Sequence, residues 1–346
     1  MQFTLRVNII TMFLLLLCLT GWSLVSSAVI EKPFYDLEKA EQLFEQFIST
    51  YGKSYSHATE KQRRFQIFRE NIERINRLNS ESDSVHVVNQ FADLTPDEFL
   101  AMYTGFTRRA ERGGDTDCSV INDEDIKTKD TPASWDWREH NVVGEVKDQK
   151  ACGSCWAFSC TGNIEGQYAK KNKKMISLSE QQLMDCLPSS NSCDGGDMVV
   201  TMAELKSVAG VESEEDYPYI SQNQKCEFNA SKVQVKIVDC RRFNFTNEEK
   251  LKEALYQYGP LSIGVATTPK WYTYKSGVYN VTDCPDNPKG LNHGVLLVGY
   301  GTEGQVDYWI IKNSWGPYWG EEGYIRITRG DNTCALLNDD TNTAVV

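Results

Sequence analysis

The sequence predicts an α+β protein with two lobes, one rich in helices and one rich in strands, with a cleft between them and a helical segment before them. From about residue 35 to 105, apolar residues recur at helical spacing among many charges. Helix signals continue to about residue 240, after which runs such as LSIGVA and VLLVGY are typical of strands. A chain of 346 residues with 40% hydrophobic content can bury two lobes and a small extra domain. The net charge of −12 argues against a nucleic-acid-binding protein, which needs basic patches.

Residues 1–28 predict a secretory signal peptide. Arg6 precedes an apolar run over residues 12–19, and a small-residue cleavage site follows at 26–28. This run is too short to cross a bilayer, which argues against the alternative of a retained anchor, and no later segment is apolar enough. The mature protein is therefore expected to be soluble, oxidised and in the secretory pathway, either in lysosomes or outside the cell.

Two amphipathic helices are predicted next. Phe44, Phe47 and Tyr51 form the apolar stripe of the first. The second carries residues at steps of three or four, which places them on one face: Glu60, Arg64, Phe68, Asn71, Ile75 and Asn79. Taken alone, this is an amphipathic helix with a mixed face and indicates no function.

The stretch KDQKACGSCWAF at residues 147–158 contains the strongest candidate for chemistry. Cys152 and Cys155 flank a Gly-Ser turn, and a helix starting at Ser154 or Cys155 would place the Cys155 sulfur at its positive end. That position favours the thiolate, which is the nucleophilic form. The alternatives are two structural half-cystines or a C-x-x-C redox pair.

A cysteine nucleophile needs an imidazole base, and the chain has four histidines. His57 and His86 lie in the amino-terminal helical segment, and His140 lies in a polar stretch typical of a surface. His293, in LNHGVLLVGYG, is predicted to begin a buried strand. The next apolar strand, in YWIIKNSWG, ends in Asn313, whose side chain can hold the imidazole towards the sulfur.

The blocks QKACGSCWAF, LNHGVLLVGYG and IIKNSWGPYWGEEGY resemble the signatures of the papain-like cysteine proteases. His293 and Asn313 follow Cys155 by 138 and 158 residues, in the order of that family. The resemblance runs from about Tyr35 to the last residue, and FSCTGNIEGQ with the terminal TAVV resembles the cathepsin F-like branch. It implies a papain-like fold, protein and peptide substrates, a monomer, cystatin-like inhibitors, and no cofactor, metal, nucleic acid or membrane span.

The face of the second helix matches the ERFNIN pattern of cathepsin L-like propeptides. Asn89, Phe91 and Asp93 match the second propeptide motif of these enzymes, in which Val87 stands where glycine is usual. The resemblance implies that residues 29–130 are an inhibitory propeptide and linker whose tail crosses the active-site cleft. The mature domain is then expected at 131–346, with its helical lobe at roughly 140–240 and its β-rich lobe at roughly 241–346.

The cysteines are assigned partly by resemblance. It implies the disulfides Cys152–Cys193, Cys186–Cys226 and Cys284–Cys334, which would exclude the redox pair. Residues 108–129 read as a solvated linker of the kind that proteases cut, and Cys118 within it is expected to be lost on maturation. Cys160 and Cys240 are then left as a fourth bridge or as two buried free thiols.

The resemblance also assigns roles in the site. Cys155 is the nucleophile, His293 the base, and Asn313 orients the imidazole under the cover of Trp315. The Gln149 amide, six residues before Cys155, and the Cys155 N–H would stabilise the oxyanion. The alternative for Gln149 is an ordinary polar loop residue.

The sequence disfavours two other functions. A catalytically silent binding or storage protein is disfavoured because Cys155, His293, Asn313 and Gln149 are all present. An exopeptidase of the cathepsin B type is disfavoured because residues 197–226 contain no histidine for an occluding loop. The sequence therefore predicts an endopeptidase.

The substrate cleft is expected to include Gly195 and Gly196, which permit close approach of substrate backbone. By resemblance, Asp197 and Asp339 lie at the wall and floor of the S2 pocket, where two carboxylates would accept Arg or Lys at P2 alongside hydrophobic residues. The alternative is that Asp197 faces solvent at the rim and Asp339 belongs to a polar loop.

Local signals complete the analysis. Sequons at Asn229, Asn244 and Asn280 predict glycosylation sites on a secreted protein. Ser179 is predicted to cap the helix in LSEQQLMDC, with Gln182 completing a capping box.

Overall fold

The structure is a computed structural model, and it describes residues 31–107, 117–128, 130–280, 284–285, 287–338 and 341–346. The predicted signal peptide lies outside the described residues. Residues from Lys32 onward form one compact unit. No helix in the described part of the chain is long and apolar enough to cross a bilayer.

In the segment expected to be the prodomain, the described residues form three α-helices and a short strand: α1 (Ala40–Tyr51), α2 (Ala58–Glu81), β1 (Val85–His86) and α3 (Pro96–Tyr103). α1 ends at Gly52, whose left-handed φ of 59° suits a helix C-cap. α3 begins with a full capping box between Thr95 and Glu98, with Pro96 at the first helical position. Phe44, Phe47 and Phe68 are buried where α1 packs on α2. Both helices predicted for this segment are therefore confirmed.

The polar members of the α2 motif make specific contacts rather than a solvated stripe. The Arg64 guanidinium binds the Glu60 and Glu98 carboxylates at 2.6 and 2.8 Å. The Asn71 amide donates to the carbonyls of Ala92 and Leu94, both at 2.8 Å. These bonds hold the chain that follows α2 against the helix.

The elements that follow, from residue 117 to about 238, are arranged around one long buried helix. Its elements are β2 (Ser119–Asn122), β3 (Trp135–Asp136), α4 (Cys155–Asn172), α5 (Glu180–Cys186), α6 (Met198–Leu205), β4 (Val211–Glu212) and β5 (Val233–Val235). α4 begins at Cys155, with Ser154 as its N-cap residue, as the sequence predicts. Ser179 caps α5 as predicted, but the capping box is wrong: the Gln182 side chain bonds to Glu212 N and Gly210 O instead.

The second half is dominated by strands. Its elements are β6 (Asp239–Asn244), α7 (Glu248–Tyr258), β7 (Leu261–Val265), β8 (Tyr274–Ser276), β9 (Val278–Tyr279), β10 (His293–Glu303), β11 (Val306–Lys312), β12 (Tyr324–Thr328) and β13 (Asn342–Val345). The main sheet runs β2-β6-β13-β7-β10-β11-β12-β9, and β3 pairs with β10. Helices thus precede a large sheet, and the predicted α+β class is confirmed.

The prediction of a solvated linker is wrong for the described residues between 117 and 128. β2 pairs in parallel with β6, which brings Cys118 to Cys240, and these two form a disulfide. Cys118 is therefore a half-cystine of the folded protein, and neither alternative offered for Cys160 and Cys240 holds. Cys160 is a buried free thiol, whereas Cys240, the second free thiol of that alternative, is in a disulfide.

The other three disulfides have the pairing that the resemblance implied. The structure joins Cys152 to Cys193, Cys186 to Cys226 and Cys284 to Cys334. Because Cys152 is locked to Cys193, a redox pair between Cys152 and Cys155 is excluded.

Candidate active site

Cys155 is the first residue of α4 and is completely buried. Its sulfur accepts a hydrogen bond from the N–H of Gly294 at 3.3 Å. Gly294 follows His293 in β10, so this bond places the thiol beside the start of that strand. The positive end of α4 and this N–H both favour negative charge on the sulfur.

His293 and Asn313 meet because β10 and β11 are antiparallel neighbours. Leu296 in β10 pairs with Lys312, the last residue of β11, so the start of one strand lies beside the end of the other. The His293 Nε2 atom is 2.7 Å from the Asn313 Oδ1 atom. The Trp315 ring stacks on the imidazole at 4.8 Å and an angle of 28°. The imidazole is therefore fixed on one edge and covered on one face.

Burial controls the protonation of this pair. It raises the pKa of the Cys155 thiol to about 11, although the N–H groups of Gly294 and Gly105 oppose it. Burial also lowers the pKa of His293 to about 4, although the hydrogen bond to Asn313 acts in the opposite direction and raises it. At neutral pH the folded chain therefore favours a neutral thiol and a neutral imidazole over an ion pair.

Gln149 lies in the loop before α4 and is buried against the loop that follows β11. Its Oε1 accepts the Ser314 hydroxyl at 2.6 Å, which fixes the orientation of the amide. Its Nε2 donates to the Cys152 carbonyl at 2.9 Å and to the Tyr103 carbonyl at 3.2 Å. Tyr103 belongs to the prodomain, so the amide already binds a carbonyl oxygen of the segment that fills the cleft.

Residues 104–107 follow α3 and cross the site, starting from Thr104 in an extended conformation. The Thr107 N–H donates to the Gly196 carbonyl at 3.0 Å, and the Gly196 N–H donates to the Gly105 carbonyl at 2.9 Å. On the other side, the N–H groups of Gly105 and Phe106 both donate to the Asn292 carbonyl at 3.0 Å. Gly105 is required here because a Cβ would overlap the backbone of Gly153.

An aromatic cluster holds the prodomain over the site. Phe91 and Phe99 contact the Trp315 ring edge-on, with centroids 6.1 and 4.9 Å away. Tyr272 donates its hydroxyl to the Asn71 side chain at 2.7 Å, and its carbonyl accepts from the Asn89 amide. Sequence analysis missed Tyr272, since nothing in the run WYTY marks it as a docking residue.

The two aspartates assigned to the S2 pocket have different outcomes. Asp197 is 7% exposed and is the N-cap of α6, where its carboxylate accepts the Val200 N–H at 3.2 Å. Asp197 is therefore buried in the precursor, in which the neighbouring Gly196 also bonds to residues 105 and 107, and its place at the wall of the S2 pocket stays a prediction. Asp339 lies outside the described residues.

The three sequon asparagines are exposed. Asn229 precedes a short 3-10 turn, Asn244 ends β6, and Asn280 follows β9. Among the described residues, no group of three or more His, Cys, Asp or Glu side chains could hold a metal ion.

Comparison with known families matches two regions of the chain. Residues 131–344 match the papain family cysteine protease model, and residues 44–99 match the cathepsin propeptide inhibitor domain (I29).

Similar proteins extend over nearly the whole chain. The viral cathepsin of Mamestra configurata nucleopolyhedrovirus is 41% identical over 339 residues, which is 98% of either chain. The viral cathepsin of Adoxophyes honmai nucleopolyhedrovirus is 40% identical over 331 residues, covering 93% of this chain and 97% of the relative.

Solved precursor structures are also similar, and with the family match they confirm the predicted papain-like fold. Digestive procathepsin L 3 from the larval midgut of Tenebrio molitor superposes with a TM-score of 0.80 at 36% identity, covering 89% of this chain and 99% of the other. A recombinant stem bromelain precursor superposes with a TM-score of 0.79 at 34% identity, covering 89% of this chain and 99% of the other.

Proposed function

This chain belongs to the papain family of cysteine proteases, and on that basis we propose that its mature form is an endopeptidase acting through a thioester at Cys155. The chain is a protease zymogen with an inhibitory propeptide. The observation that carries the proposal is the contact set around Cys155: the sulfur at the start of α4 is bonded to Gly294, next to a histidine that Asn313 orients. The endopeptidase assignment rests on the lack of histidine in residues 197–226.

The proposed reaction begins when the prodomain leaves the cleft. Water then reaches Cys155 and His293, which removes the burial that keeps both groups neutral. The thiolate attacks the scissile carbonyl, and the imidazolium protonates the leaving amine to give a thioester. His293 next takes a proton from water, whose oxygen hydrolyses the thioester and regenerates the thiol.

Gln149 and the Cys155 N–H are proposed to stabilise the oxyanion. The Gln149 amide is held by Ser314 and lies within hydrogen-bond reach of a prodomain carbonyl, so a substrate carbonyl can take the same place. An amide suits this role because it donates a hydrogen bond without adding a net charge beside the ion pair.

The domain boundaries are part of the proposal. Residues 1–28 would be the signal peptide, 29–130 the propeptide and linker, and 131–346 the mature domain. Entry into the secretory pathway is supported by four disulfides and three exposed sequons. Destination in lysosomes or outside the cell, a monomeric state and inhibition by cystatin-like proteins complete the proposal.

Labelling with an active-site-directed epoxide tests the nucleophile. The acid-matured protein should carry the label on Cys155 and lose all peptidase activity, whereas Cys155→Ala should neither react nor turn over substrate. Label on the buried Cys160 with Cys155 unmodified, or full activity of Cys155→Ala, contradicts the assignment.

Acceptance of Arg or Lys at P2, beside hydrophobic residues, is a separate proposal. Because the Asp197 carboxylate already caps α6, the attraction for a cation would come mainly from Asp339. Fluorogenic Arg-Arg, Leu-Arg and Phe-Arg substrates test it on wild type and on Asp339→Ala. An unchanged ratio of Arg-Arg to Leu-Arg cleavage in the variant contradicts it.

A further inference from the structure

The segment that connects the prodomain to the protease domain is anchored on the protease domain. Cys118 is bonded to Cys240, and the two residues are 7% and 0% exposed. Cys240 lies within β6 of the main sheet. Among the described residues before Cys118, the cleft hydrogen bonds extend as far as Thr107, eleven residues upstream of it. The disulfide therefore joins the connecting segment, downstream of the inhibitory contacts, to the protease domain.

β2 makes the connecting segment part of the sheet. All four of its residues are in register with β6, and β6 would otherwise present an unpaired edge. The Ser119 hydroxyl donates to Asp239 at 3.1 Å. Lys206 binds the carboxylates of Asp117 and Asp239, each at 3.0 Å. These contacts fix the segment on both sides of the disulfide.

The segment stays attached beyond β2. Ile126 is 5% exposed and belongs to the main hydrophobic core. The Lys127 N–H donates to the Gln257 side chain on α7 at 3.1 Å, and Asp123 accepts the Thr246 N–H at 3.3 Å. The segment is thus packed as a structural element of the protease domain almost to the expected boundary at residue 131.

We propose that residues 118–128 stay on the active enzyme, held by the Cys118–Cys240 disulfide, and that the activating cut lies between the cleft segment and Cys118. This inference rests on the proposed function, and it adds where the peptide bond lies that must be cut to release the prodomain. A cut near residue 131 alone leaves the prodomain covalently attached through the disulfide. A tethered inhibitor has a local concentration on the order of millimolar, so the cleft stays filled.

The chemistry of release is simple hydrolysis. One water molecule cleaves one peptide bond amino-terminal to Cys118, the prodomain leaves with the new carboxylate, and the disulfide is unchanged. A further cut near residue 131 only converts the active enzyme from one chain to two. Neither step needs a reductant.

The tether is tested in a precursor that cannot process itself. A Cys155→Ala precursor receives a site for a specific protease directly after Thr128 and is cut there. Denaturing electrophoresis without reductant should show the prodomain still attached, and dithiothreitol should release all of it. In the same background Cys240→Ser should release it without reductant, whereas Cys160→Ser, which removes the buried free thiol, should behave like the parent.

The position of the activating cut is tested on wild type. The precursor is activated at acid pH, active molecules are tagged with a biotinylated epoxide, and the captured enzyme is mapped by mass spectrometry without reduction. The tagged enzyme should contain a peptide with Cys118 linked to Cys240 and an amino terminus upstream of Cys118.

Two results overturn the inference. One is tagged enzyme that starts near residue 131, lacks Cys118 and has Cys240 as a free thiol. The other is an unreduced map of the intact precursor without the Cys118–Cys240 link, which needs neither a variant nor activity. A precursor that carries the Cys118–Cys240 link but gives no epoxide-reactive enzyme refutes the proposed function. The electrophoresis test still decides whether the disulfide holds the prodomain on the protease domain.

Discussion

His86 should make prodomain docking sensitive to acid. It lies in β1, which pairs with β8 of the protease domain, and it is completely buried. Its Nδ1 is 2.9 Å from the Thr273 hydroxyl, and its Nε2 is 3.1 Å from the Ser84 hydroxyl. Burial, with smaller effects of Lys270 and Lys32, lowers its pKa from 6.5 to about 4. The docked state therefore holds a neutral imidazole.

The sign and size of the pH effect on prodomain docking follow from the difference in the pKa of His86 between the docked and undocked states. Above pH 6.5 the imidazole is neutral whether or not the prodomain is docked, so it imposes no penalty. Between pH 6.5 and 4 only the undocked histidine takes up a proton, so docking weakens as the pH falls. A shift of that size corresponds to about 3 kcal/mol, or roughly a hundredfold in the docking equilibrium.

His86→Gln tests this in the Cys155→Ala precursor, which cannot process itself. Glutamine can donate to one hydroxyl and accept from the other, but it does not titrate. Undocking uncovers Trp315, so tryptophan fluorescence between pH 7 and 3.5 reports it. The midpoint should move by about one pH unit towards acid in the variant. The control is His57→Asn, which replaces an exposed helix cap with another good cap.

The reasoning is refuted if His86→Gln undocks with the same pH profile as its parent. It is also refuted if the exposed His57 variant produces the whole shift, because that histidine is not buried on docking.

Three other predictions concern the site. Gly105→Ala should expose Cys155 in the full precursor, because the new Cβ overlaps cleft backbone and disrupts four hydrogen bonds. If each bond contributes about 0.5 kcal/mol, the rate of iodoacetamide labelling of Cys155 should rise roughly 30-fold. The control Met102→Ala, on the exposed face of α3, should leave that rate unchanged. Because burial raises the pKa of Cys155 to about 11, its labelling rate in the precursor should still be rising above pH 9, while the matured enzyme should reach its plateau at lower pH. Asn313→Ala removes the partner of His293 and should lower kcat by roughly 10- to 100-fold with little change in KM; an unchanged kcat contradicts the orienting role.

Much of the site could be predicted because its parts are local. The start of α4 at Cys155, the start of β10 at His293 and the end of β11 just before Asn313 each follow from apolar patterning over about ten residues. The motif face of α2 likewise follows from helical spacing. The pairing of these blocks in one site came from resemblance rather than from spacing.

Contacts between distant residues could not be predicted in this way. The partner of Cys240 depends on β2 joining β6, and the two cysteines are 122 residues apart with no local pattern to connect them. Gln182 leaves its predicted capping role because Glu212 and Gly210 come within reach only in the folded chain.

The sequence by itself determined where the helix and strands that carry the candidate residues begin or end, because those are short-range properties of the chain. Only the tertiary structure decided their charge. Burial raises the pKa of Cys155 and lowers that of His293 in the precursor, and this desolvation depends on what the whole chain packs over each group.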